Sequence, residues 1–252
     1  MTQSPAQTGD WVRRFHPAPA APVRLVCFPH AGGSAPFYFP VSRTLSPDVD
    51  VLAIQYPGRQ DRRTEPCVDD VGRLADLVTA ELLPYADRPL ALFGHSLGAT
   101  LAFEVAVRLE AAGIVPLWLF ASGRRAPSRS RQEQVHELPD ELLVANLKRL
   151  SGTDPVLLAD PELLATVLPA LRSDYRAAET YRYQEGPPLA SPILVLTGDE
   201  DPEVDLEEAK SWAEHTTGAF EVQVYSGGHF YLTDHAAAVT REISRRLVSA
   251  SS

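Results

Sequence analysis

A short apolar run over residues 89–93 leads into Gly94-His95-Ser96-Leu97-Gly98, and a helical pattern follows as far as Gly113. No other stretch constrains the chain so tightly. A strand, a sharp turn and a helix packed into so few residues leave no room for bulky neighbours at the turn, and the two glycines meet that restriction. The Ser96 hydroxyl is expected to stand clear of the turn. A helix starting near Leu97 points unpaired N–H groups, the positive end of its dipole, at the same spot. Negative charge developing beside Ser96 would be stabilised there.

Apolar runs at 23–28, 51–55, 116–121, 192–197 and 220–225 read as further strands, and they alternate with helical patterns such as 68–85 and 236–248. Such alternation predicts an α/β fold, with a mostly parallel central sheet flanked by helices on both faces. Between residues 121 and 192 the rhythm breaks. Amphipathic patterns at 138–150 and 161–183 fill an interval far longer than the dozen or so residues a crossover needs. It is read as a helical lid, inserted at about 127–188 over the carboxyl ends of the strands. Periodicity leaves open whether Leu142, Leu143, Leu163, Leu164 and Leu168 line a chamber or pack the lid on itself. The arm up to about Pro22 is rich in Pro, Ala, Gln and Ser and is expected to be poorly ordered, pinned at Trp11, Val12 and Phe15.

Composition narrows the function classes. At 252 residues the chain is expected to be one domain, 1–252, and a monomer is the default. No apolar run approaches the ~20 residues that span a bilayer, and no signal-peptide pattern is visible. Cys27 and Cys67 offer neither a disulfide framework nor metal-ligand spacing, so a reducing, cytoplasmic setting without a metal is expected. A net charge of −10 argues against nucleic-acid partners.

A serine hydroxyl attacks only when a base takes its proton, and the base needs an orienting acid. Thr197-Gly198-Asp199-Glu200-Asp201 follows one strand and Gly227-Gly228-His229 follows the next, in the order serine, acid, histidine. His229 is the expected base, and Gly227-Gly228 lets the chain turn its ring inward. Asp201 is the preferred acid because it sits further into its loop, with Asp199 the alternative, better suited to a local turn. An oxyanion would need two backbone donors. The Leu97 N–H is the first, and the Ala31 N–H in Pro29-His30-Ala31-Gly32-Gly33 is the candidate second. The glycines there match neither a dinucleotide fingerprint nor a P-loop. Gly-His-Ser-Leu also occurs at the phosphopantetheine attachment site of carrier proteins, but those are small helical bundles without a preceding strand.

Cys27-Phe-Pro-His-Ala-Gly-Gly-Ser-Ala35, Gln55-Tyr-Pro-Gly-Arg59, Leu92-Phe-Gly-His-Ser-Leu-Gly98, Ser122-Gly-Arg-Arg-Ala-Pro127 and Gly227-Gly-His-Phe230 stand in that order. Together they closely resemble type II thioesterases of polyketide synthase and nonribosomal peptide synthetase pathways, from about Trp11 to the last helix. Leu97 replaces the methionine frequent in that family, a change that leaves its backbone N–H intact. The resemblance implies an α/β-hydrolase fold with a helical lid and a triad of Ser96, Asp201 and His229. It also implies hydrolysis of acyl thioesters on the phosphopantetheine arm of acyl or peptidyl carrier domains, clearing stalled or wrongly primed units. The phosphopantetheine belongs to the substrate, and no cofactor of the enzyme's own is implied.

Arg124, Arg125, Arg129 and Arg131, with Arg59, Arg62 and Arg63, form basic islands on an acidic chain. Arg124 and Arg125 are candidates for docking an acidic carrier, with solvated loop arginines the plainer reading. Arg59 has a third option, holding two loops together. Rival functions with the same triad are a chain-releasing thioesterase and a general carboxylesterase. A non-catalytic acyl-carrier binder is a further alternative, which the full triad disfavours.

Overall fold

Strands that are apolar along their whole length must be covered on both faces. The computed structural model, which describes residues 11–150 and 161–249, has that architecture. Its strands are β1 (Val12–Arg13), β2 (Val23–Phe28), β3 (Val49–Ile54), β4 (Leu90–His95), β5 (Leu119–Ser122), β6 (Ile193–Gly198) and β7 (Phe220–Tyr225). They form one sheet in the order β1-β3-β2-β4-β5-β6-β7, all parallel except the antiparallel edge strand β1. The helices are α1 (Phe39–Leu45), α2 (Val71–Leu82), α3 (Leu97–Ala111), α4 (Asp140–Leu150), α5 (Pro161–Thr180), α6 (Leu206–Lys210), α7 (Tyr231–Asp234) and α8 (Ala236–Ser249).

The two-residue period of a strand divides the core. Val26 and Phe28 of β2 face α2 and α3 and join Leu74, Val78, Leu101 and Val105. Leu25 and Cys27 point the other way, to Tyr38, Ile243 and Leu247. Burial pushes the Cys27 thiol far up from its ordinary value, so it is an inert packing residue as its place in an apolar strand suggests. Helix α2 starts at Val71 rather than 68 because the Asp70 side chain accepts the Arg73 N–H at 2.7 Å, ending the extended chain there.

The amino-terminal arm departs from expectation. Residues 1–10 lie outside the described residues, but from Trp11 onward the chain is held firmly. Val12 pairs with Ile54, Trp11 enters the main core, and the Arg62 guanidinium sits 4.3 Å over its ring. Buried Asp50 gathers Arg14 at 2.9 Å, Arg24 at 3.3 Å and the Ala18 N–H at 3.1 Å. A two-residue strand has no periodicity to read, and an ion pair across 36 positions leaves no local signal.

The long interval between β5 and β6 holds α4 and α5 and no strand among the described residues; 151–160 lie outside them. Leu143, Leu147 and Leu171 form a small core of their own, with Leu168, Tyr175 and Ala31 packed against it. Leu143 and Leu168 therefore pack the lid, Leu142 is exposed, and the side chain of Leu163 falls outside the described set.

Strand order reverses direction where β4 joins β2 on the side away from β3, and ligands of such sheets bind at that reversal. The register aligns Phe28 with Gly94, His95 with Ser122, and Gly198 with Tyr225. The loops after β2, β4, β6 and β7 consequently leave the sheet at one edge.

Candidate active site

Ser96 caps α3 with φ 55° and ψ −122°, a backbone conformation that costs strain in a non-glycine residue. Its own backbone is tied down on both sides. The Ser96 N–H donates to the Ser122 carbonyl at 2.9 Å, and its carbonyl accepts the Ala99 N–H at 2.9 Å. A Cβ on Gly94 would collide with the Gly98 carbonyl, and one on Gly98 with the carbonyls of Phe28 and Pro29. Both glycines are required by close backbone approach, as the turn's crowding implied.

His229 Nδ1 lies 3.0 Å from each carboxylate oxygen of Asp201, and both side chains are almost wholly removed from solvent. Asp201 Oδ1 also accepts the Glu203 N–H at 2.8 Å, which fixes the carboxylate's direction. Asp199, the alternative acid, is exposed and instead accepts the Gly227 N–H at 2.8 Å, a local role in the β7 turn. Ser96 and His229 line one small cavity of about 40 Å³ together with Ala31, Leu97 and Arg124. The lid closes it through Leu150, Tyr175, Ala178 and Glu179. Ser96 Oγ has no hydrogen-bond partner among the described residues, so the serine and histidine share the cavity without being joined. Catalytic hydrogen bonds are often long before substrate binds.

The backbone N–H groups of Ala31 and Leu97 are likewise free of partners among the described residues. Two unspent donors therefore border the cavity that holds Ser96. Behind them the Tyr38 hydroxyl donates to the Phe28 carbonyl at 2.7 Å and the Tyr56 hydroxyl to the Pro29 carbonyl at 3.1 Å.

A wall of rings backs His229. His95 lies 4.9 Å from it, centroid to centroid, and reaches Ser122 Oγ at 2.9 Å, which meets the Tyr231 hydroxyl at 2.7 Å. His30 makes edge-on ring contacts with Phe37 and Phe230 at 4.8 and 4.9 Å. Burial, with the neighbouring His229 adding repulsion, pushes His95 well below its ordinary value; burial, His229 and Arg59 push His30 down to about 3. Both stay neutral beside His229, the histidine of this cluster that has a carboxylate partner. The remaining histidines have local duties: His16 meets Ser42, His136 meets Glu179, His215 meets Ser128, and His235 meets the Ser226 carbonyl.

The arginines divide differently from their sequence cluster. Arg125 is 4% exposed and paired with Glu133 at 2.7 Å, so it is not presented at the surface. Arg129 pairs with Glu214 and Arg131 with Glu208, at 2.5 and 2.6 Å. Arg124 turns inward, its Nε donating to Thr100 Oγ1 at 3.0 Å, and among the described residues it has no carboxylate ion pair. It borders the serine cavity and also an outer cleft of about 330 Å³ lined by Tyr181 and Arg182. Arg59 does hold loops together. It donates to the Gly33 carbonyl at 3.1 Å and makes a two-pronged pair with Asp174 of α5, at 2.5 and 2.8 Å. Asp174 had no sequence signal, because a lone acid in an amphipathic helix reads as solvated.

Among the described residues, no three His, Cys, Asp or Glu side chains are grouped to hold a metal ion. A serine on a strained strand-to-helix turn, at the switch point of a mostly parallel sheet and beside a histidine–carboxylate pair, defines an enzyme of the α/β-hydrolase fold. Residues 23–247 match the family described as Thioesterase domain, and the chain belongs to that thioesterase family. It is 55% identical to a probable cadicidin biosynthesis thioesterase of Streptomyces griseus, over 97% of this chain and 69% of the relative. It is 51% identical to the thioesterase PikA5 of Streptomyces venezuelae, over 98% of this chain and 90% of that one. Among solved structures, the type II thioesterase BorB from the borrelidin biosynthetic cluster superposes with a TM-score of 0.89 at 53% identity, covering 94% and 97% of the two chains. The resemblance to type II thioesterases read from the motifs is borne out.

Proposed function

We propose that this thioesterase hydrolyses acyl groups from the phosphopantetheine arm of acyl or peptidyl carrier domains, removing aberrant or stalled units from a polyketide or nonribosomal peptide synthase in the cytoplasm. The observation that carries the chemistry is the His229–Asp201 pair, both oxygens at 3.0 Å, facing the same cavity as Ser96.

In this reading Asp201 holds the Nδ1 proton of His229, leaving Nε2 to take the Ser96 proton as Oγ attacks the thioester carbonyl. The tetrahedral oxyanion rests on the N–H groups of Ala31 and Leu97. Collapse expels the pantetheine thiolate, which takes a proton from His229. A thiol ionises near pH 8.5, so its sulfur leaves more readily than an alkoxide. Water then gives a proton to His229 and attacks the acyl-serine, releasing the acid and free Ser96. Every step uses a side chain or backbone amide of the chain, and phosphopantetheine arrives with the substrate.

Arg124 suggests the route of that arm. It borders both the outer cleft and the serine cavity, so a polar pantetheine amide passing from one to the other would meet an unpaired guanidinium. This replaces surface docking with an inward contact. The test is a comparison of kcat/KM for an acetyl thioester of a phosphopantetheinylated carrier with that for a matched simple oxygen ester. A carrier thioester preferred by about a hundredfold, some 2.7 kcal/mol of transition-state discrimination, supports the assignment. Equal rates would favour a general carboxylesterase.

A further inference from the structure

The proposed oxyanion loop is gripped from the lid. The Gly32 N–H donates to Asp174 Oδ2 at 2.8 Å, and Asp174 stands on α5, far away in sequence. The same carboxylate is paired with Arg59, and Arg59 Nη1 donates to the Gly33 carbonyl at 3.1 Å. One helical turn before Asp174, Leu171 covers Gly32 so closely that a Cβ there would lie 2.8 Å from its Cδ1. Gly32 also has φ 73°, so no other residue suits the position without strain.

These contacts bear on the Ala31 N–H through covalent geometry. In a trans peptide the carbonyl and N–H of one unit point in opposite directions. The His30 carbonyl and the Ala31 N–H belong to one unit, and that carbonyl accepts the Gly33 N–H at 2.9 Å. The direction of the Ala31 N–H is therefore set by where Gly33 sits. Gly33 is set in turn by Arg59, and the intervening Gly32 by Asp174. Burial works against the Arg59 charge, yet the Asp174 carboxylate more than offsets it and holds the guanidinium above its ordinary value. Removing one member would strand the other as an unpaired buried charge.

We propose that Asp174 is a positioning residue for the oxyanion hole: the lid helix, through Asp174 and its pair with Arg59, holds the His30–Gly33 turn so that the Ala31 N–H faces the reacting carbonyl. The lid is then a structural part of the transition-state site and not only its cover. The proposal rests on the thioesterase reading with Ala31 as a donor.

The test compares wild-type enzyme with Arg59→Met/Asp174→Asn and Arg59→Met/Asp174→Leu. Neither double variant leaves a buried charge stranded, and both are checked for folding by circular dichroism. They differ in whether position 174 offers an oxygen to the Gly32 N–H. Readouts are kcat and KM on an acyl thioester, affinity for a trifluoromethyl ketone whose serine adduct carries an oxyanion, and the fraction of Ser96 labelled by a fluorophosphonate. Misplacement of a catalytic group by about 1 Å costs on the order of a hundredfold. The expected result for the leucine variant is kcat down by about 10- to 100-fold, with ketone affinity down in parallel and KM within about threefold. The asparagine variant recovers a substantial part of both losses. Wild-type kcat and ketone affinity in the leucine variant would overturn the proposal. So would a loss of rate fully explained by unlabelled serine, or equal losses in the two variants. If wild-type enzyme failed to hydrolyse any acyl thioester while its serine still labelled, the thioesterase reading itself would fall, and the proposal with it.

Discussion

Asp201 meets His229 with both carboxylate oxygens, each 3.0 Å from Nδ1, while Asp199 turns away to hold the Gly227 N–H. In the proposed mechanism an acid so placed fixes the tautomer of the base and stabilises the imidazolium that forms during attack. Asp201→Asn is expected to lower kcat by about 10²- to 10⁴-fold with little change in KM. Asp199→Asn keeps kcat within about tenfold, because it disturbs only a turn. Steady-state kinetics on one thioester separates the two acids, and a larger loss from Asp199 would reverse their roles.

Gly98 leaves no space for a methyl group beside the Phe28 carbonyl, which belongs to the strand that delivers the proposed oxyanion loop. Backbone cannot yield as a side chain can. Gly98→Ala is expected to destabilise the fold by about 3 kcal/mol or more and to depress activity further by shifting Ser96 against Ala31. Urea unfolding gives the stability change, and a wild-type midpoint would contradict the packing.

Buried His30 should make the enzyme acid-sensitive. It stays neutral in the folded protein down to about pH 3, whereas the unfolded chain takes up the proton near its ordinary value of 6.5. Below that value the unfolded state binds more protons, so stability is fully present above pH 6.5 and is lost as pH falls toward 3. One such group contributes a slope of up to about 1.4 kcal/mol per pH unit. His95, also held low by burial, adds a slope in the same direction. Chemical denaturation between pH 7 and 4.5 should show His30→Gln with a shallower decline than wild type. An unchanged slope would mean that His30 is protonated in the folded state.

Arg124 is pushed down to about 10 by burial and then by Arg125, which still leaves it charged at neutral pH. A hydrogen bond from a charged donor to a substrate carbonyl contributes about 1.5–3 kcal/mol. Arg124→Gln is therefore expected to raise KM for a pantetheine-borne acyl group by about tenfold or more. A short nitrophenyl ester, which lacks the arm, should be hydrolysed as by wild type. Equal effects on both substrates would place Arg124 in scaffold maintenance instead.

Much of the fold and site was legible in the sequence because the relevant signals are local. Unbroken apolar runs such as 23–28 announce strands buried on both faces, and a glycine-bounded serine after such a run announces its own turn. Asp201 and His229 stand out because each lies in the short loop after a strand, in the order serine, acid, histidine. What was hidden involves distance along the chain. β1 is too short to show a period, the arm after it is held by Arg14 on distant Asp50, and Asp174 reads as one more acid on a helix until folding brings it to Gly32. The arginines at 124–131 illustrate the reverse problem. A like-charged cluster in sequence dissolved in space, because Glu133, Glu208 and Glu214 came back to meet Arg125, Arg131 and Arg129.

The most direct measurement is the intact mass of a carrier protein loaded with a short acyl group on its phosphopantetheine, followed over time with wild-type enzyme and with Ser96→Ala. The expected result is rapid loss of the acyl mass with wild type, leaving free phosphopantetheine on the carrier, and a stable loaded carrier with Ser96→Ala. A carrier that stays loaded with wild-type enzyme, or one that is cleared equally well by Ser96→Ala, would contradict the assignment of Ser96 as the nucleophile of a carrier-directed thioesterase.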